Sequence, residues 1–331
     1  MTTRVATHAN SWYTGNPTTL PQQLDTWLGA VPKSIEGVGE LPPKSARVII
    51  APHAGYSYSG PAAAWAYASL DISKVKRVFI LGPSHHIYLD HCAVSGCQYY
   101  STPLGNLTVD TSLCSTLVNS DGADAKFTYM TKAADEDEHS LEMHLPYVYH
   151  LLSRANKLSE TKIVPIMVGA INSRKERAYG KALAQYLADE ENVFVVSSDF
   201  CHWGTRFTYT HYYPTLTETP TADTPSVSLT SRSRPTGPHR IHESIEALDR
   251  LGMSTIETGS HEEFVEYLRK THNTICGRHP IGVVMSAIET LELEGGEEGK
   301  GRFKLVRYEQ SSKVTEPSDS SVSYVSAFAV I

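Results

Sequence analysis

Long apolar runs are missing from this chain of 331 residues. The longest candidate, 62–70, is short and carries Ser and Tyr, against the ~18 unbroken apolar residues that a membrane span requires. No membrane span is expected, and the polar, mixed stretch 1–16 has no apolar centre of secretory-signal length. Cysteine is sparse. The five residues Cys92, Cys97, Cys114, Cys201 and Cys276 form an odd set, which speaks against a disulfide framework and fits reduced thiols in the cytoplasm or nucleus. Positive charge is in deficit, with 29 basic against 36 acidic residues and a net charge of −7. That balance argues against nucleic acid or an anionic membrane as a general partner. Glycine-rich phosphate loops and a serine-nucleophile elbow are absent too, so no nucleotide cofactor is expected.

What the chain has is core material. Apolar residues make up 40% of it, and a chain this long buries about three quarters of its unfolded surface without staples. Short β-branched runs closed by turn residues predict strands over 47–51, 77–81, 162–168, 192–196 and 322–331. Their near-continuous apolar character implies a sheet covered on both faces. Helical spacing predicts helices over 174–190, 241–251, 262–272 and 281–293, the last following Pro280. The alternation indicates an α/β three-layer sandwich, a central mixed β-sheet with helices on both faces. No internal repeat is visible, and 1–331 reads as one domain. Within it, 213–238 is dominated by Thr, Ser and Pro and reads as a mobile surface insertion. The polar stretch 311–321 reads as a loop.

The chemistry sits where strands end, since ligands in open α/β sheets bind beyond the carboxyl ends of the strands. Three predicted strands run into metal or acid–base groups: His53, the pair His85 and His86, and Asp199 with His202. Asp199 and His202 are three apart, the span of one turn. A lone histidine after a strand is usually structural; three such ends point to a shared site. Cys276 lies in Thr274-Ile275-Cys276-Gly277-Arg278-His279-Pro280, just ahead of a predicted helix start. That position is expected to lower its pKa through the helix dipole, Arg278 and His279; the plainer reading is a small thiol packing a turn. A thiolate with imidazoles would bind Zn, Fe or Cu, softness favouring copper(I) or zinc. The run Asp135-Glu136-Asp137-Glu138-His139-Ser140-Leu141-Glu142-Met143-His144 reads as a solvated helix start, with His139 and Glu142 placed to support a site from behind. Cys92 and Cys97 with His91 resemble half a zinc knuckle, but no second pair stands at finger spacing.

Several long runs resemble the Memo family, named for mediation of ErbB2-driven cell motility. They are Ala51-Pro52-His53-Ala54-Gly55-Tyr56, Leu81-Gly82-Pro83-Ser84-His85-His86, Asp135-Glu136-Asp137-Glu138-His139-Ser140, Ser197-Ser198-Asp199-Phe200-Cys201-His202-Trp203-Gly204 and Asn273-Thr274-Ile275-Cys276-Gly277-Arg278-His279-Pro280, with Ser11-Trp12-Tyr13 and Asp319-Ser320-Ser321-Val322-Ser323-Tyr324 near the ends. The resemblance covers nearly the whole chain apart from 213–238. It implies a fold similar to class III extradiol dioxygenases, whose iron-binding histidines match His53 and His85 and whose catalytic histidine matches His202. Cys276 stands where those enzymes carry glutamate, which puts ring cleavage in doubt. The resemblance also implies iron or copper as cofactor, redox control, and a signalling or cytoskeletal protein partner. Three functions compete. A redox-active metal protein would use His53, His85 and Cys276 as ligands, with His202 moving protons and Asp199 orienting a ligand or bound water. A non-catalytic adaptor would bind a (phospho)tyrosine peptide in the same cleft, lined by Trp12, Tyr13 and Tyr56. A metal-free cysteine hydrolase would use Cys276, His202 and Asp199.

Overall fold

The computed structural model describes residues 2–120, 122, 124–216, 220–233, 235, 237–293 and 301–331. Its largest sheet has nine strands: β1 (Ala46–Ala51), β2 (Arg77–Pro83), β3 (Cys92–Val94), β4 (Phe127–Tyr129), β5 (Lys162–Val168), β6 (Asn192–Ser197), β7 (Asp199–Trp203), β8 (Phe303–Gln310) and β9 (Ser321–Val330). The spatial order is β7-β9-β1-β6-β2-β5-β3-β4, with β8 along the other side of β9. β1, β6, β2 and β5 run parallel, while β3, β7, β8 and β9 join by antiparallel pairings, so the sheet is mixed. All five predicted strands are present, 162–168 as expected and the other four with one or both ends moved by one or two residues. Every residue of β1 and β6 is buried, as the unbroken apolar runs require of strands covered on both faces.

Chain direction decides which helix covers which face. From β1 the chain passes through α1 (Tyr56–Ala68) to β2, two places along the sheet; from β5 it passes through α2 (Ser173–Ala188) back to β6, two places in the opposite sense. Parallel crossovers are right-handed, so opposite senses put the two helices on opposite faces. α1 accordingly packs on β1 and β9, and α2 packs with α5 (Arg278–Leu293) over β6. Between them in sequence come α3 (Ile241–Glu257) and α4 (His261–Thr271). The three layers share one continuous apolar core.

Two local differences from the sequence reading have simple causes. α5 starts at Arg278, before Pro280; a proline in the first turn removes no helical hydrogen bond. Within the 213–238 segment, Val227–Ser228 pairs with the strand His211–Tyr212 just before it, and Tyr213 and Leu229 are buried. The segment is thus tied to the body at these points; residues 217–219, 234 and 236 lie outside the described residues. The stretch 311–320 joins β8 to β9 as a loop.

Candidate metal centre

β1, β6 and β2 are adjacent and parallel, so whatever follows their carboxyl ends shares one edge. His53 lies two residues past β1, His85 two past β2, and Ser197 closes β6. The loop before α5 brings Cys276 to the same edge. One ligand atom from each of His53, His85 and Cys276 lies within 4.8 Å of the others, a separation a single ion can bridge. His53 Nε2 and Cys276 Sγ are 3.3 Å apart.

Hydrogen bonding decides which ring nitrogen is free. The Ser197 hydroxyl donates to the Ser140 carbonyl at 2.7 Å and lies 2.6 Å from His53 Nδ1. With its proton committed, the hydroxyl accepts, so His53 carries its proton on Nδ1 and leaves Nε2 as a lone pair. His85 Nδ1 faces the Glu138 carboxylate at 2.8 Å, which only accepts when ionised, so its Nε2 is free as well. His202 Nδ1 lies 2.8 Å from the Phe200 carbonyl and 3.1 Å from that of Thr274, and the same logic frees its Nε2. Metal-binding histidines are held in this way, the other ring nitrogen donating to a carboxylate, carbonyl or hydroxyl. Burial, with the neighbouring histidines, pushes the His53 pKa well below its ordinary value, which keeps the ring neutral and available as a ligand.

Asp199 joins His53 and Cys276. Its Oδ1 accepts the His53 backbone N–H at 2.9 Å, and its own N–H donates to Cys276 Sγ at 3.2 Å. Asp199 and His202 both belong to β7, not to a helical turn, and the pairing of β7 with β9 shifts register between them. Residues three apart on a regular strand point to opposite faces; a bulge removes that constraint. Among the described residues no hydrogen bond joins the Asp199 carboxylate to the His202 ring, whose Nδ1 is engaged by carbonyls. The relay needed by a metal-free cysteine hydrolase is not assembled. Nor is the Cys276 thiol acidic: burial first, then the charge of Asp199, push its pKa up, and Arg278 opposes them only in part. Cys276 precedes α5 by two residues and sits in a desolvated pocket, so the helix dipole is outweighed. A bound cation would reverse this, since a coordinating thiol is deprotonated outright.

Residues 4–328 match the family of Memo-like proteins. The chain is 45% identical over 326 residues to a MEMO1 family protein of Schizosaccharomyces pombe, covering 98% of each chain. It is 44% identical over 331 residues to the protein MEMO1 of Danio rerio, covering 100% of this chain and 98% of the relative. With MEMO1 of Homo sapiens it shares 43% over 321 residues, 97% and 95% of the two chains. The chain belongs to the Memo-like family.

In this Memo-like chain three carboxylates of the acidic run form a buried wall of the site, while Asp137 stays exposed. Asp135, Glu138 and Glu142 are at most 1% exposed, and the fully buried Arg4 lies among them. Its guanidinium donates to Glu142 at 2.7 Å, to Asp135 Oδ1 at 3.2 Å and to the Glu138 carbonyl at 3.0 Å. Burial alone would raise the Glu138 pKa, but its bonds to His85 hold it down to about 2. Glu142 accepts from Arg4, His8 and the Tyr13 hydroxyl, so it fastens the N-terminal segment and makes no bond to His139. His139 stacks on His85 at 4.4 Å and under Trp12 at 4.3 Å; burial and neighbouring His85 push its pKa down to about 3. Its Nδ1 has no hydrogen-bond partner. His86 is exposed at the rim, edge-on to His139.

The three aromatic residues separate. Trp12 stays 37% exposed, whereas Tyr13 and Tyr56 are buried and donate to Glu142 and the Met143 carbonyl. All three line a shallow cavity of about 400 Å³. Cys92 and Cys97 are buried, and among the described residues they join no group able to hold a metal. The sequence reading did not single out Ser197, Glu138, Arg4 or His8. Glu138 had one signal, a carboxylate directly before His139 in a strand-adjacent run; Arg4 had none.

Proposed function

We propose that this Memo-family protein holds one iron or copper ion on His53 Nε2, His85 Nε2 and Cys276 Sγ and acts as a redox-active metal protein. The observation that carries the reading is the fixed tautomer of both histidines, each presenting an unprotonated Nε2 toward a shared point with the thiol. Two imidazoles and a thiolate suit copper(I) and iron(II), while a hard ion such as Mg²⁺ would need oxygen donors. The ion would supply electron transfer. The chain's own residues would hold and orient: Asp199 fixes the backbone of His53 and the thiol of Cys276, and His202 Nε2 is free to take or give a proton. Cys276 replaces the carboxylate of an extradiol dioxygenase site, so ring cleavage is no part of the proposal. A role in cell motility and redox signalling, a signalling or cytoskeletal partner, and residence in the cytoplasm or nucleus belong to the same reading, on the strength of the family likeness.

Anaerobic titration against a copper(I) competitor, then with iron(II), tests it. Cys276→Ser and His53→Ala should each weaken binding at least tenfold, while Cys114→Ala, at a buried thiol outside the ligand group, should not. Equal affinity across wild type and both site variants would remove the metal site. The adaptor reading, a (phospho)tyrosine peptide in the same cleft beside the half-exposed Trp12, would then lead.

A further inference from the structure

A separate cavity of about 480 Å³ opens beside the loop that carries Cys276, and none of His53, His85, His202 or Cys276 lines it. Its polar wall comes from Ser173, Glu176, Arg269, His272, Arg278 and His279. The wall is cationic. Glu176 is its sole carboxylate, and each oxygen is already held at 2.6 Å, one by His261 Nε2 and the other by His279 Nδ1. Arg269 is paired with Glu266 through Nε and Nη2, which leaves Nη1. Arg278 is half-buried, makes no ion pair among the described residues, and donates only to the Ile275 carbonyl at 3.3 Å. A half-desolvated guanidinium without a carboxylate is a strong oxyanion receptor. The first turns of α2 and α5 border the same space and add partial positive charge.

Behind the cavity wall lies one buried acceptor without a partner. Asn273 is 4% exposed and lines the cavity; its Nδ2 donates to Asp249 and the Tyr267 hydroxyl, and its Oδ1 has no partner. We propose that this cavity is a second ligand site, taking a small oxyanion, a phosphate or a carboxylate, with Arg278 as the principal contact. A ligand there would touch the loop that holds the metal centre: Thr274 lines the cavity while its carbonyl and hydroxyl bind His202. The proposal stands independently of which metal, if any, the other site takes.

Calorimetric titration of the full, metal-free chain with inorganic phosphate and with citrate, at fixed ionic strength and with chloride as blank, is the test. One of the two anions should bind saturably at one site, and which one does so names the ligand class. Arg278→Gln should weaken it at least tenfold with an unchanged thermal midpoint in anion-free buffer. His272→Gln, farther from the start of α5, should weaken it several-fold and serves if Arg278→Gln fails to fold. The proposal is overturned if neither anion saturates, or if the folded variants bind as tightly as wild type.

Discussion

Glu138 takes two hydrogen bonds from one residue, the His85 ring Nδ1 at 2.8 Å and the His85 backbone N–H at 2.6 Å. Both carboxylate oxygens therefore grip the same histidine, one its ring and the other its backbone, and the Nε2 direction is fixed before any ligand arrives. Such supporting partners are worth about 10–100-fold in metal affinity.

Glu138→Gln tests that grip. A glutamine has one accepting oxygen and one donating nitrogen, so it cannot receive both His85 bonds. Anaerobic competition titration should show metal binding weakened about 10–100-fold, with His85 less ordered. Unchanged affinity would mean that His85 is oriented by something other than Glu138.

The strands and the residues at their ends were legible because both signals are local. A β-branched run such as 192–196 states its own burial, and a histidine two residues past β1 or β2 must lie at the sheet edge. The supporting contacts were not legible, because they join residues far apart in sequence. Arg4 and Glu142 meet across most of the N-terminal half, and no period or spacing announces that. The acidic run misled for the same reason: charge density reads as solvation unless the buried cation is known. The expected acidity of Cys276 failed because dipole and neighbours were visible in sequence while desolvation was not.

Gly277 should tolerate no side chain. A Cβ there would lie 2.3 Å from the Ser197 carbonyl oxygen and 2.4 Å from Ser198 Cβ, and backbone cannot yield as a flexible side chain can. Gly277→Ala should push the Cys276 loop off the end of β6, where Ser197 also holds His53. Thermal unfolding should shift down by several degrees, an overpacking cost of about 1–3 kcal/mol, and metal affinity should fall with it. A variant with wild-type melting and binding would show that the loop has slack.

Arg4 should be a stability residue out of proportion to its place near the chain start. Arg4→Met leaves Asp135 and Glu142 buried without their cation, and breaking a buried pair from one side costs about 3–5 kcal/mol. Urea unfolding at pH 7 measures this. Arg4→Lys keeps the charge but cannot reach Glu142, Asp135 and the Glu138 carbonyl together, so it should recover only part of the loss. Wild-type stability in Arg4→Met would mean that the N-terminal segment is not fastened by this network.

His144 gives a pH dependence with a definite sign. It is fully buried, its Nδ1 lies 2.8 Å from the Tyr67 hydroxyl, its Nε2 has no partner, and burial pushes its pKa down to about 3. The unfolded chain takes up this proton near the ordinary value of about 6.5, so the unfolded state binds more protons between roughly pH 6.5 and 3. Stability conferred by the neutral ring is complete above that window and falls as pH drops through it, by about 1.4 kcal/mol per pH unit for one proton. His53 and His139, also shifted down, act in the same direction. Asp249, pushed up to about 6 by burial, and Asp199, also raised, bind protons on folding and act against them. The total slope is therefore a sum of opposed parts, but the difference between wild type and His144→Gln isolates one residue. Glutamine keeps a polar group beside Tyr67 and cannot titrate. Urea unfolding of the metal-free protein at pH 7, 6, 5 and 4.5 should give the variant a slope against pH about 1.4 kcal/mol per unit shallower below pH 6. Parallel curves would show that His144 is not held neutral in the fold.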